Sequence, residues 1–236
     1  MRAVWILCGK ELRVTLDTAQ GAVVAVAFLL ATGFFFGSNL FLIGQAEMRG
    51  FFSVMPLLLM FFIPAMAMRQ LADELNQGTF ELLATMPIST WQLVMGKYLA
   101  ILLQLLMLFA LTLLYPASLA LLGNPDGGAI AAGFLALMLL ASAYSAVCLY
   151  ASALTRHAII AYIIGFSLLF AMFLLNKMAA TLPPATQDWL TILLPFPPFN
   201  ALLRGVIGLE QVVYFVSFSI FFLALTCFQL ERRRWR

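Results

Sequence analysis

Six stretches without a single charged residue constrain this chain more than any other feature. A helix needs about 20 apolar residues to cross the hydrocarbon core of a bilayer, so each stretch is long enough for one crossing. With 64% hydrophobic and 10% charged residues, the chain also has too few polar side chains to cover a soluble globule. The sequence therefore predicts an all-α integral membrane protein, a single domain with six transmembrane helices. The stretches are residues 21–44, 51–68, 98–122, 129–154, 158–176 and 211–230.

The distribution of basic residues predicts the orientation of the chain. An even number of crossings places both termini on the same face. That face would carry ten of the thirteen Lys and Arg residues, and the other would carry Arg49, Lys177 and Arg204. Because loops rich in Lys and Arg remain in the cytoplasm, both termini are predicted to be cytoplasmic. The arginines of residues 231–236 are expected to rest on anionic membrane lipids, and no nucleic acid is expected to bind them.

Residues 1–18 have the pattern of an amphipathic surface helix. One face holds Trp5, Cys8, Leu12 and Leu16, and the opposite face holds Lys10, Arg13 and Asp17. Such a helix lies in the headgroup plane before the chain turns into the membrane. The pattern leaves open whether the helix has a function or merely anchors the N-terminus.

The longest polar interruption on the predicted cytoplasmic side follows the second span. Residues 70–86 divide by helical period into an apolar and a polar side, which predicts a helix lying along the membrane surface. A bend at Pro64 would aim it there. The apolar side holds Leu71, Leu75, Leu82 and Met86, and the polar side holds Gln70, Asp73, Glu74, Gln77 and Glu81. Beyond it, Ser89 and Gln92 have the spacing of a capping box.

Phe80 does not follow this division. It lies beside the acidic side of the predicted helix, next to Gly78 and Thr79. An aromatic side chain among carboxylates indicates a contact for the pocket of a partner protein. The alternative is that Gly78 bends the helix and Phe80 turns back to the lipid.

The predicted outer segment, residues 177–210, contains two apolar pieces that are too short to cross a bilayer. They are residues 189–194 and 201–207, and the proline-rich residues 195–199 separate them. Short apolar pieces with a proline break predict helices that dip into the outer leaflet and return. Arg204 in this segment needs water, a lipid phosphate or a carboxylate as partner.

The fourth span carries small residues at roughly helical spacing. Ala141, Ser145 and Ser152 allow another helix to approach closely, and serine hydroxyls can bond to the preceding turn. Their polar groups would equally suit the lining of a passage. Helix packing is the preferred interpretation.

The sequence contains no pattern for catalysis, metal binding or nucleotide binding. His157 is the only histidine, which excludes a zinc site or a histidine-assisted serine site within one chain. No predicted span carries an internal charge, which disfavours a proton or sodium relay. Gly96 and Lys97 do not belong to a phosphate-binding loop, because Trp91 stands where its first glycine would be needed. The chain is therefore predicted not to be an enzyme, to bind no cofactor and to depend on an external source of energy.

Two motifs carry a family resemblance. Glu74, Gly78, Thr79, Glu81 and Leu83 match the E-x-x-x-G-T-x-E-x-L pattern, closed by Pro87, of the permease subunit of type-2 ABC exporters. Near the C-terminus, the chain resembles the GldF subgroup of that family through Arg204, Gly205, Val206, Ile207, Tyr214, Phe215 and Ser217. It departs from the subgroup at Asn200 and Ala201, where an acidic or histidine-like residue usually follows the outer proline.

This resemblance implies a half-permease in the bacterial inner membrane. It would pair with a second copy or a close paralogue, with two ATPase subunits that bind ATP and Mg²⁺, and with a GldG-like auxiliary membrane subunit. The resemblance makes residues 70–86 the coupling helix. The ATPase contacts it implies are Asp73, Glu74, Gln77, Gly78, Thr79, Phe80, Glu81, Leu82, Leu83 and Pro87. The outer gate or partner contact it implies consists of Pro195, Phe196, Pro198, Phe199 and Arg204.

The function implied in this way is ATP-driven export, or movement of a lipid or amphiphile across the inner membrane. Phenylalanine-rich spans suit a lipid-like cargo better than a small ion. The alternative is a scaffold or mechanotransmitter, in which ATP hydrolysis drives an external partner and no substrate passes.

Overall fold

Long apolar stretches with few helix breakers fold into helices over almost all of the described chain. The computed structural model describes residues 2–43, 48–79, 89–122, 126–179, 194–205 and 208–234, and it places no β-strand among them. The helices are α1 (Arg2–Asp17), α2 (Ala19–Ile43), α3 (Arg49–Gln77), α4 (Thr90–Thr112), α5 (Leu114–Leu122), α6 (Gly127–Leu154), α7 (Ala158–Ala179), α8 (Phe196–Leu203) and α9 (Leu209–Arg234). These described residues include six candidate membrane spans, of which α4 and α5 together form one, so the prediction of six spans is confirmed.

Helix α6 lies at the centre of the bundle, in contact with α3, α7 and α9. Small side chains allow these close approaches: a Cβ added at Gly133 would lie 2.3 Å from Cε2 of Phe52 in α3. Ala141, Ser145 and Ser152 are fully buried among helices of the same chain. The Ser145 hydroxyl donates to the Ala141 carbonyl one turn earlier. This arrangement supports helix packing rather than the lining of a passage.

Two prolines lie within the continuous helix α3, whereas a third, Pro116, lies near an interruption of the third span. Pro56 and Pro64 both lie inside the continuous helix α3. Near Pro116 the third span divides at Leu113 into α4 and α5. Proline has no N–H to donate to the carbonyl four residues earlier, which here belongs to Thr112, the last residue of α4.

The predicted capping box is confirmed, and so is the three-residue gap between the predicted spans 129–154 and 158–176. Ser89 Oγ accepts from Gln92 N and Gln92 Oε1 accepts from Ser89 N, each at 3.2 Å, which is the expected capping box. Only residues 155–157 separate α6 from α7, and the Thr155 hydroxyl accepts from the His157 backbone N–H at 3.2 Å.

No helix ends at the predicted boundary of the second span. Helix α3 continues past residue 68 to Gln77, so residues 70–77 belong to the same helix as the span. Gly78 then ends α3 in a left-handed conformation, with φ of 71°, which glycine adopts without steric cost. A single helix over residues 70–86 is therefore excluded at Gly78, while residues 80–88 lie outside the described part of the chain.

The proline-rich residues 195–199 begin a helix instead of separating two apolar pieces. Helix α8 starts at Phe196, with prolines in its first turn. That position suits proline because the first N–H groups of a helix have no partner within it. Of the two predicted pieces, residues 189–193 lie outside the described residues, and residues 201–203 complete α8.

Candidate functional site

Helix α1 is held against α4 at a glycine. A Cβ at Gly96 would lie 2.9 Å from Cβ of Leu7 and 3.3 Å from the Val4 carbonyl oxygen, so no larger residue fits without displacing α1. Leu7 and Cys8 are buried at this contact, and burial raises the pKa of the Cys8 thiol. We refer to the face of the molecule that carries α1, the end of α3 and the start of α4 as the α1 side.

The predicted apolar face of α1 is only partly correct. Cys8 is buried, but Trp5 and Leu16 are 61% and 51% exposed. The face that contacts the protein includes Leu7 and Cys8, and Glu11 one helical turn further along. Trp5 and Leu16 remain available to a membrane surface, which is where an amphipathic helix places its apolar side chains.

A largely buried group of three charged residues joins α1, α3 and α4. Lys97 of α4 has a side chain that is only 1% exposed, and its Nζ lies 2.7 Å from Glu74 Oε1 and 3.1 Å from Glu11 Oε1. The side chains of Glu74 and Glu11 are 15% and 12% exposed. Removing a charge from water is costly unless it is paired and hydrogen-bonded. We refer to Glu11, Lys97 and Glu74 as the charged triad.

The charged triad corrects one expectation from the sequence. Lys97 itself lies eight residues into α4, one residue before the predicted span 98–122. Gln70 and Glu74 were expected on an exposed polar side, but Gln70 is 7% exposed and Glu74 faces Lys97. The helical period did not predict the burial of Gln70 and Glu74, because that reasoning treats every polar residue as facing water. The available signal was Glu11, an acidic residue one helical turn from Leu7 and Cys8.

A serine of the central helix is inserted beside the backbone of α3. The Ser152 hydroxyl donates to the Met68 carbonyl at 2.9 Å and accepts from the N–H groups of Leu71 and Ala72, each at 3.1 Å. In a regular helix the Ala72 N–H bonds directly to the Met68 carbonyl. A side chain at this position in the ladder is one of the recognised causes of helix bending. The contact ties α6 to α3 one turn before Asp73 and Glu74.

The remaining residues of the implied coupling contact fall at the end of α3. Asp73 forms a long ion pair with Arg69, at 3.8 Å and with both side chains well exposed, and Gln77 and Gly78 are exposed. Thr79 Oγ1 donates to the Glu74 carbonyl at 3.4 Å. The other implied contacts lie outside the described residues. They are Phe80, Glu81, Leu82, Leu83 and Pro87.

Most of the implied outer contact is buried in the chain itself. Phe196 and Phe199 are 5% and 1% exposed, and the Phe196 ring lies 5.6 Å from the ring of Phe173 in α7. Pro195 is buried and Pro198 is partly exposed. Arg204, just after α8, is exposed to solvent and could contact a partner.

One arginine of the C-terminal cluster contacts protein rather than only lipid. Arg233 Nη2 donates to the Leu154 carbonyl at the end of α6, at 2.6 Å. A cation at a helix C-terminus is favourable because the last carbonyls have no partner within the helix. The contact fastens the end of α9 to the central helix.

Residues 44–229 match the model of a protein family described as ABC-2 family transporter protein, which covers more than half of the chain. The chain belongs to this family. A search of curated proteins found no match. Membership makes the chain a multi-pass permease component of an ABC transporter, a family whose members work with separate ABC ATPase subunits. Among the described residues, no group of His, Cys, Asp and Glu side chains is arranged to hold a metal ion.

Proposed function

We propose that ATP hydrolysis on a partner subunit moves residues 78–88, and that the charged triad transmits this movement into the membrane helices. The observation that carries the proposal is the pair of contacts of Lys97. Glu74 lies four residues before the segment begins at Gly78, and Lys97 lies eight residues after Ser89. The two ends of the segment are thus clamped together by a buried ion pair of 2.7 Å.

Three links make this end of the molecule behave as one body. Glu11 links α1 to α4 through its ion pair with Lys97, and Gly96 allows α1 and α4 to approach closely. Ser152 joins α3 to α6, which contacts α7 and α9 in turn. A displacement of the segment would therefore move α1, α3 and α4 together and reach the central helix through Ser152.

Asp73, Gln77 and Thr79 fit a contact surface for the ATPase, since they lie beside the segment and are at least partly exposed. Glu74 takes a different role from the one the resemblance implies. Its carboxylate faces Lys97, so it would transmit the movement instead of touching the ATPase. Phe80 and Glu81 remain proposed contacts within the segment.

The proposed assembly contains two such permease chains. In support, α2, α7 and α9 are largely uncovered within one chain, with exposed side chains such as Phe34, Ile163 and Phe221. Lipid covers some of this surface, and a second copy or a close paralogue would cover the rest. The proposed location is the bacterial inner membrane with both termini in the cytoplasm, and the proposed cargo is a lipid or amphiphile. A GldG-like auxiliary subunit would contact the outer side near Arg204.

The experiment starts from the ATPase that co-purifies with the chain from its native membrane. The variant Phe80→Ala with Glu81→Arg should lose most ATPase binding and most stimulation of ATP hydrolysis. The matched control is Phe228→Ala with Glu231→Arg, the same pair of changes at exposed positions of α9. If both variants keep full assembly and hydrolysis, the segment does not contact the ATPase.

Transport and force transmission predict different stimulators of the assembled complex. A transporter should hydrolyse ATP faster when a lipid-like cargo is added. A mechanotransmitter should respond only to its external protein partner. Measuring hydrolysis with each addition in turn distinguishes the two functions.

A further inference from the structure

Beside the charged triad, a cavity of about 220 Å³ opens between α1, α2, α3 and α4. Three basic and three acidic side chains line it, so its charge is balanced. They are Lys10, Arg69 and Lys97, and Glu11, Asp73 and Glu74. A balanced lining favours neither a cation nor an anion, but it suits a ligand that carries both charges at separate places.

Two acceptor atoms in the inner part of the cavity have no hydrogen-bond donor among the described residues. Gln70 is 7% exposed, and among the described residues its Oε1 has no donor. The same holds for Glu74 Oε2, because Lys97 binds only Oε1 of that carboxylate. Buried acceptors without a donor destabilise the folded state. A ligand with several N–H groups would satisfy both oxygens.

The mouth of the cavity has the opposite character. The side chains of Lys10 and Arg69 are 59% and 55% exposed, and among the described residues each has one long ion pair, at 3.7 and 3.8 Å. Both can reorient at little cost, since exposed ion pairs of this length contribute little. Lysine and arginine are the side chains that bind phosphate. The cavity thus combines acceptors inside with phosphate-binding cations at its mouth.

The position of the cavity indicates that such a ligand would be a membrane lipid. Its lining reaches from α1 to Gln104, seven residues or about 10 Å further along α4 than Lys97. Val24 and Met66 add apolar surface toward the membrane. A lipid could therefore place its headgroup against the polar lining while its acyl chains stay among apolar residues.

We propose that this cavity binds the headgroup of a phospholipid with a primary ammonium group, of the phosphatidylethanolamine type. The ammonium group donates to Gln70 Oε1 and Glu74 Oε2, and the phosphate lies at Lys10 and Arg69. Phosphatidylcholine has the same charges but no N–H donor on its quaternary ammonium, so the site distinguishes the two lipids by hydrogen bonding. The bound lipid would sit between α1 and the helices that flank residues 78–88.

The test measures thermal unfolding of the purified chain in detergent, titrated with phosphatidylethanolamine or phosphatidylcholine of identical acyl chains. A ligand that binds only the folded state raises the unfolding temperature. Phosphatidylethanolamine should give the larger rise. Gln70→Leu and Lys10→Gln should each weaken its binding about tenfold, the effect of one charge-assisted hydrogen bond or ion contact.

The matched control is Gln229→Leu, the same change at a glutamine of α9 that does not line the cavity. It should keep the preference of the unmodified chain. Gln70→Leu removes a buried acceptor that has no donor, so it should fold, and Lys10 is exposed. Equal stabilisation by the two lipids, or an unchanged preference in both cavity variants, would overturn the proposal and leave a water-filled cavity.

Two further titrations test, separately, the need for N–H donors on the ligand and the need for a membrane lipid. Stepwise N-methylation of the ethanolamine lipid should reduce the stabilisation as donors are lost. Water-soluble phosphoethanolamine at the same concentrations should give no comparable shift, and an equal shift would overturn the membrane source. No ATPase is present in these measurements, so the result does not depend on the proposed coupling.

Discussion

A lysine side chain that is 1% exposed depends on the carboxylates around it. Lys97 is held by Glu74 and Glu11 at 2.7 and 3.1 Å, on elements that are far apart in the sequence. Such a buried pair is weak as a source of net stability, because desolvation offsets most of the attraction. Breaking it is costly, since the partners remain buried and charged.

Lys97→Met should therefore destabilise the protein by about 3–5 kcal/mol, because two carboxylates lose the buried cation between them. Thermal unfolding in detergent measures the change. Combining Lys97→Met with Glu11→Gln and Glu74→Gln should recover part of the loss, since no uncompensated charge then remains.

The matched control for this prediction is Lys10→Met. Lys10 is 59% exposed and its contact with Glu11 is 3.7 Å long, so the change should stay within about 0.5 kcal/mol. Equal losses for Lys97→Met and Lys10→Met would show that the charged triad does not hold the α1 side together.

At the scale of elements, α3 is the helix whose shape depends most on its neighbours. It contains Pro56 and Pro64, continues past the predicted membrane boundary and ends at Gly78. Its hydrogen-bond ladder is joined to α6 by the Ser152 hydroxyl, which bonds to Met68, Leu71 and Ala72. A helix supported in this way can pass movement from its end to the centre of the bundle.

Ser152→Ala should destabilise the protein by about 1–3 kcal/mol, because two backbone N–H groups of α3 lose a buried acceptor. The control is Ser145→Ala on the same helix, which is equally buried but whose hydroxyl bonds only to its own preceding turn. That change should be close to neutral. Thermal unfolding of both variants decides the matter. Equal effects of the two substitutions would mean that the backbone N–H groups of α3 find their partners within α3 when Ser152 is absent.

At the scale of the whole molecule, six spans and the distribution of basic residues determine the expected orientation. Helix α6 has 28 residues, so its two ends lie about 42 Å apart, roughly the full thickness of a bilayer. Gly127 at its start and His157 just after its end should therefore face opposite compartments.

Cysteine labelling tests this orientation. In a variant with Cys8, Cys148 and Cys227 replaced by alanine, Gly127→Cys should react with a membrane-impermeant maleimide added to intact cells, and His157→Cys should not. Inverted membrane vesicles should reverse the result, which serves as the control. Labelling of His157→Cys in intact cells would place the α1 side outside the cytoplasm.

Short-range features of the chain were predictable because neighbouring residues decide them. The capping box of Ser89 and Gln92, the connection of residues 155–157 and the small residues at Ala141 and Ser145 all depend on spacing along one element. The break at Pro116 follows from proline chemistry but was not anticipated, since a proline in a membrane helix has several possible effects.

Apolar length and motif spacing are properties of the linear chain, so the membrane class, the six spans and the family could be predicted without coordinates. Which polar residues lie inside depends on the packing of distant segments. Glu11 and Glu74 meet Lys97 across 86 and 23 residues of sequence, and Ser152 meets Met68 across 84. A helical period shows which residues share a face, but not whether that face meets water, lipid or another helix, since this depends on how distant segments pack.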